Sequence, residues 1–477
     1  MQQRLTIPKD RAVEGVSEEA AFVRGSLVRH VSIMSFTSSI GLMAIFAVDL
    51  IDMLFIAMLG NPALAAAIGY SGTVLFFTTS IGIGFSIAAG VLVARAIGAG
   101  QPDQAAGNAS SVVVVGVLIS VVTVLCVFLF MPDLLDLLGA QGETRALAVS
   151  YLSIILPSMP LLMAAMVAMA VLRAHGDAKR ATLATLAGGV VNAALDPLLI
   201  FSAGLGLEGA AVASVFARLT IFIAAIYPAI KTYRGFARPS FSALRRDFSS
   251  VSIIGVPAVL ANIATPVGTG IVTREMARFG TDAVAGMAII GRLTPVAFAV
   301  VFALSGAIGP IIGQNFGAGL HARVRAAFLT ALGFVSVYVT VVALLLYLLR
   351  GFVVSLFDAS GETLTIVLLF CGPLAFAQLF NGWVFVGNAT FNNLGHPVYS
   401  TWVNWGRHTV GTWLPVVFFA SLWGAAGVLI GQALGGIVFA VVTVWLAMRM
   451  MDGQLRAAAS LEFSQHQRMH ILECRRH

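Results

Sequence analysis

The chain has 477 residues, 59% of them hydrophobic and only 10% charged. Soluble domains carry about 25% charged residues, so water is excluded as the main solvent. Apolar runs such as 105–131 and 251–273 are too continuous for the alternation of a β-barrel and mark an all-α integral membrane protein.

Helices are expected at roughly 31–57, 64–93, 108–131, 148–172, 181–202, 207–230, 250–273, 283–313, 326–349, 364–390, 399–421 and 424–448. Gly60-Asn61-Pro62 and the stretch Asn392 to Pro397 supply the turns that divide the longest uncharged runs. The implied organisation is an N-terminal cytoplasmic segment (1–29), a first lobe of six helices (30–230), a cytoplasmic linker (231–249), a second lobe of six (250–448) and a basic tail (449–477). Residues 1–28 lack the apolar core of a signal peptide. The tail is basic and partly amphipathic, which suits the cytoplasmic surface of the bilayer.

The formal charge of +7 is explained by its distribution. Of 28 Lys and Arg, the termini and even-numbered loops hold 21, the opposite loops four, and predicted helices three (Arg218, Arg292, Arg407). Acidic residues show no such bias. This positive-inside pattern places both termini in the cytoplasm of a multi-pass protein expected in the plasma membrane, which is the inner membrane if the source is a Gram-negative bacterium. It also removes nucleic acid as a partner. Cys126, Cys371 and Cys474 suit neither a disulfide framework nor a metal site.

An internal repeat accompanies the helix count. Ile97-Gly98-Ala99-Gly100 returns as Phe316-Gly317-Ala318-Gly319, and Gly176 returns as Gly395, both 219 positions later. Two six-helix repeats of equal topology require a pseudo-two-fold axis along the membrane normal, and their shared cleft suits alternating access.

Three carboxylates fall well away from the ends of predicted spans, all in the first half: Asp49 and Asp52 in helix 1 and Asp196 in helix 5. Each costs about 2.5–3.5 kcal/mol at a helix centre, so such residues face the interior and mark function by default. Asp49 and Asp52 share a helix face, as do Asn192 and Asp196. Pro197 cannot donate to the carbonyl of Ala193, which bends helix 5 or bares an acceptor beside Asp196. Carboxylates, an amide oxygen, a freed carbonyl and a neighbouring hydroxyl make an all-oxygen pocket for Na+ or, protonated, for H+. The three embedded arginines are expected to snorkel or to pair with a carboxylate. Arg218, one turn after Ser214, reaches towards the first-lobe cavity or holds the structure together. No Walker A, zinc or nucleophile-elbow motif has a supporting context, so neither an enzyme nor an ATP-driven pump is expected.

The stretch Asp52-Met-Leu-Phe-Ile-Ala-Met-Leu-Gly60 followed by Ala63-Leu64-Ala65-Ala66 resembles the first-helix motif of multidrug and toxic compound extrusion (MATE) transporters. Leu172-Arg173-Ala174-His175-Gly176-Asp177 is similar to that family's loop 4–5 motif. Asn192-Ala193-Ala194-Leu195-Asp196-Pro197 and Gly209 to Ser214 are similar to its helix 5 and helix 6 motifs. The ordered set covers nearly the whole chain. The resemblance implies a V-shaped fold of two lobes and exchange of cationic amphiphilic drugs for H+ or Na+. It implies an ion site at Asp52, Asn192, Asp196 and Ser214, to which the residue pattern above adds Asp49, Pro197 and Arg218 as accessories. Helices 7 and 10 hold no carboxylate, which points to the DinF-like branch and to coupling in the first lobe. The usual helix 1 proline is absent, and Met58 stands where an arginine is common. The expectation is a monomeric multidrug antiporter without a cofactor. The rival transport reading is a flippase for a lipid or lipid-linked sugar, and a more distant one is an integral-membrane enzyme.

Overall fold

The computed structural model describes residues 20–474, and among these it contains helices and turns but no strand. The first helix, α1 (Leu27–Met58), ends before Gly60. The next helix is well started: the Asn61 side chain accepts from the Ala63 N–H at 2.9 Å, and Pro62 sits in the first turn, where its missing N–H is no loss. It runs as α2 (Pro62–Gly98) and is followed by α3 (Pro102–Leu129) and the short α4 (Met131–Leu137).

The expected single helix at 148–172 is two, α5 (Gly142–Ile155) and α6 (Met159–Ala174), joined by a tight turn at Leu156–Ser158. Pro157 and Pro160 withdraw two helical N–H donors there. α7 (Ala178–Pro197) runs into a widened π turn, Leu198–Ser202, before α8 (Gly206–Lys231) closes the first half.

The second half begins with α9 (Phe241–Ala277). The helix expected at 283–313 is broken at Phe298 into α10 (Thr281–Ala297) and α11 (Ala299–Gly317), three residues after Pro295. α12 (His321–Leu348) and α13 (Arg350–Leu356) follow. The helix expected at 364–390 is also broken, into α14 (Gly361–Cys371) and α15 (Ala377–Asn393), with a bend of 44° at the intervening turn. α16 (Val398–His408) ends at Thr409, inside the helix expected at 399–421. The last element, α17 (Val410–Cys474), turns at Trp423 and Gly424 and so carries the final two expected traverses. By length and apolarity ten described helices can cross a membrane, eleven with the bent pair. The 60-residue stretch Val398–Ala457, divided by its turn, supplies the twelfth. Side chains of the tail beyond residue 457 lie outside the described residues.

The duplication is register-exact. The bounds of α2, α3 and α4 at 62–98, 102–129 and 131–137 recur at 281–317, 321–348 and 350–356, each 219 later. The halves meet along α2 and α11. A Cβ on Gly98 would lie 2.0 Å from the Gln314 carbonyl oxygen, and one on Gly317 would lie 2.0 Å from that of Arg95. Only hydrogen fits at these two crossings, as at small-residue crossings generally.

The same end is tied by hydrogen bonds between halves. Arg95 Nε donates to the Asn393 carbonyl (3.0 Å) and Arg95 Nη2 to that of Asn392 (2.9 Å), while Gln314 Nε2 donates to the carbonyl of Ala174 (2.8 Å). These bonds satisfy carbonyls at the C-terminal ends of α15 and α6, which their own helices leave unpaired. The segment before α1 straps the closure: Phe22 donates its N–H to Gln314 Oε1 (2.8 Å) and accepts from Asn315 Nδ2 (3.1 Å). Its ring is buried in the large core of the second half, whereas Ala20 and Val23 pack into the first.

Candidate ion-coupling site and central cavity

Asp196 lies on the buried face of α7, wholly without exposure, and Asn192 one turn earlier is also buried. Asn192 Nδ2 donates to Asp196 Oδ2 at 3.2 Å. Across the helix interface α1 presents Asp52, half-buried, with its carboxyl against that of Asp196. Oδ1 of Asp52 and Oδ1 of Asp196 are both buried without a hydrogen-bond donor. Two carboxylates facing one another in an apolar bundle are mutually repulsive, and each oxygen left without a donor is costly.

The fourth expected member, Ser214 on α8, lies close to the hydroxyl of Tyr151 from α5. Tyr151 also lies within electrostatic reach of Asp52, Asp196 and Arg218. It was absent from the sequence expectations, because a single tyrosine in an apolar run is ordinary membrane-helix material. Five side chains from α1, α5, α7 and α8 thus offer only oxygen atoms and one amide, a hard donor set suited to H+ or Na+. Among the described residues no three His, Cys, Asp or Glu cluster as a metal site.

Of the accessories, Asp49 is exposed on α1, one turn from the pocket. Pro197 is the last residue of α7 and opens directly into the π turn. There the missing proline N–H lets the ladder slip by a residue instead of merely bending.

Of the two alternatives for the embedded arginines, pairing with a carboxylate is not seen among the described residues. Arg218 Nη1 donates to the Ile155 carbonyl (3.1 Å) and to Ser158 Oγ (2.7 Å), pinning the bend between α5 and α6. Arg292 Nη2 lies 3.5 Å from Met53 Sδ, and Arg407 donates to the Asn381 carboxamide. None of the described ion pairs joins any of them to an aspartate.

Just inside the closed end, residues of both halves line a cavity of about 180 Å³. It holds Arg173, counted above as a loop charge but placed in the last turn of α6. The rest of the lining is mostly apolar, with Ile83, Ile87 and Val91 from α2 and Phe385 from α15, interspersed with asparagines and small hydroxyls and without a carboxylate.

Comparison with known proteins agrees with this architecture. A 31% identical relative, the FAD transporter of Shewanella oneidensis, aligns over 88% of this chain and 94% of its own length. The multidrug export protein MepA of Staphylococcus aureus is 25% identical over 56% of this chain and 60% of its own length. Among solved structures, an outward-facing multidrug resistance MATE transporter superposes with a TM-score of 0.85 at 21% identity, covering 93% of this chain and all of that one. A Vibrio cholerae MATE transporter in the bent form gives 0.83 at 24% identity, covering 92% and 99%. The MatE family model matches residues 38–198 and 257–412, one stretch in each half of the duplicated bundle. The chain therefore belongs to the MatE family and is a membrane transporter rather than an enzyme.

Proposed function

We propose that the chain is an ion-driven exporter, exchanging a small organic molecule for H+ or Na+ by alternating access. The observation that carries this reading is the buried meeting of Asp52 and Asp196, each with an oxygen that no protein donor satisfies. Without an ion the two carboxylates repel, and α1 and α7 are held apart. A proton or Na+ entering from the outer side screens that repulsion and draws the helices together. Release to the cytoplasm restores it. Coupling follows if ion and cargo each favour opposite states of this helix pair. On this reading the protein is a plasma-membrane monomer with both termini cytoplasmic.

Acids in the first lobe attract cations, and MepA is named a multidrug export protein, which supports cationic amphiphilic drugs as cargo. A second cargo reading has its own support. The base of the cleft carries Arg173 and no carboxylate, and the 31% identical relative is named a FAD transporter, whose cargo bears a pyrophosphate.

The test is efflux from proteoliposomes under separately imposed pH and Na+ gradients. One of the two gradients is expected to drive export in the unaltered protein. Export that persists undiminished in Asp196→Asn rejects the coupling site.

A further inference from the structure

Arg173 is a guanidinium with no carboxylate near it. Among the described residues its guanidinium takes part in no ion pair and no hydrogen bond, whereas that of Arg95 donates to two carbonyls. An embedded charge left unpaired is expensive, and it persists where a ligand supplies the counter-charge. The C-terminal end of α6, at which Arg173 sits, offsets part of that cost through its helix dipole. The facing surface of α11 is bare: a Cβ on Gly306 would come 3.8 Å from Arg173 Nε.

The rest of the cavity adds no counter-charge: its polar lining is Asn, Ser and Thr among mostly apolar residues, with no carboxylate. A ligand that pairs with the guanidinium carries an anion, which a hydrophobic organic cation does not offer. The volume, about 180 Å³, admits a phosphate with a few attached polar groups, and drug-sized ligands need about 300 Å³ or more. The remainder of a larger molecule therefore extends up the cleft.

We infer that this cavity is a phosphate-binding subsite. Arg173 takes the phosphate in the bidentate manner that guanidinium favours, and Asn262, Thr265 and Ser305 line the space beside it for adjoining polar groups of the cargo. The inference rests on the transport reading for its biological sense, but it stands on groups separate from the ion-coupling pocket. The same chemistry also describes a phospholipid headgroup, so the experiment separates the two sources.

Binding is measured on the purified full chain in uncharged detergent micelles, by fluorescence anisotropy. The probes are 1,N6-ethenoadenosine and its 5′-diphosphate, which differ only in the phosphates. The diphosphate is expected to bind at least about tenfold more tightly, and inorganic pyrophosphate is expected to displace it. Arg173→Gln is expected to bring the two probes level, while Arg173→Lys keeps part of the difference. Equal affinities in the unaltered protein, or an unchanged preference in Arg173→Gln, overturn the proposal. If Arg173→Gln fails to elute as a folded species, pyrophosphate competition on the unaltered protein decides instead. Displacement of the diphosphate by phosphatidylglycerol added to the micelles overturns the soluble-cargo assignment in favour of a lipid headgroup. No ion gradient is present in these titrations. Loss of gradient-driven dye efflux with phosphate binding intact therefore counts against the transport reading alone.

Discussion

Gln314 does in the second half what Arg95 does in the first. Each reaches across the pseudo-two-fold axis to a main-chain carbonyl at the end of the other half's helix, Asn393 at 3.0 Å for Arg95 Nε and Ala174 at 2.8 Å for Gln314 Nε2. The two positions are 219 apart, as are the two acceptors. One carries a charge and the other an amide, so the bond is preserved while the electrostatics are not. The backbone approach beneath them depends on Gly98 and Gly317. Gly98→Ala or Gly317→Ala is expected to force the helices apart and to destabilise the protein by about 2 kcal/mol, read as a lowered thermal unfolding midpoint. Gly90→Ala, in open space on the same helix, is expected to leave it within about 0.5 kcal/mol.

The aspartates of α1 should separate in experiment. Asp52 faces Asp196, whereas Asp49 is exposed one turn away. Asp52→Asn is expected to lower gradient-driven export at least tenfold, roughly the effect of losing 1.4 kcal/mol or more of ion binding. Asp49→Asn is expected to lower it less than threefold. Equal losses at the two positions would remove the distinction drawn from the geometry.

Tyr151 offers a finer probe, because its hydroxyl lies close to Ser214 at the edge of the ion pocket. Tyr151→Phe removes that hydroxyl and keeps the ring. The expected outcome is a folded protein whose half-saturating H+ or Na+ concentration for transport rises about three- to tenfold. The maximal rate should change less.

Arg218 is expected to behave as a brace. Its guanidinium holds the Ile155 carbonyl and Ser158 Oγ at the bend between α5 and α6. Arg218→Met keeps the stem and loses the bonds, which should cost about 3 kcal/mol, measured as thermal inactivation. The identity of the driving ion should be the same in whatever fraction stays folded.

Much of this molecule was legible from residue type alone. Asp52, Asn192 and Asp196 stand out because polar groups in long apolar runs need a reason, and the structure brings them together with Ser214. The breaks at Phe298 and Thr409 were less legible. Pro295 was visible, but a proline bends some membrane helices and divides others, according to how neighbours satisfy the freed carbonyl. Thr409 carries no breaking residue at all. Tyr151 was hidden because its partners come from three other helices. Arg173 was hidden by one residue of helix boundary: drawing helix 4 to 172 made it a loop charge, and the true end at Ala174 puts it in the cavity. What the embedded arginines would bond to was illegible for a related reason. Carbonyls bared at bends and helix ends compete with aspartates for guanidinium groups, and such carbonyls have no signal in the side-chain pattern.

Phe22 gives the assembly of this protein an order in time. Its partner Gln314 lies 292 residues further along the chain, so the strap cannot dock while the first six helices are being inserted. At 5–20 residues per second, docking waits roughly 15–60 s after Phe22 is made. Until then the first half exists as a nearly complete bundle with its closing contact missing. Sealing of the closed end is thus among the last events of biogenesis. A chain stalled before α11 is expected to expose residues 20–25 to added protease, and the finished chain is expected to protect them.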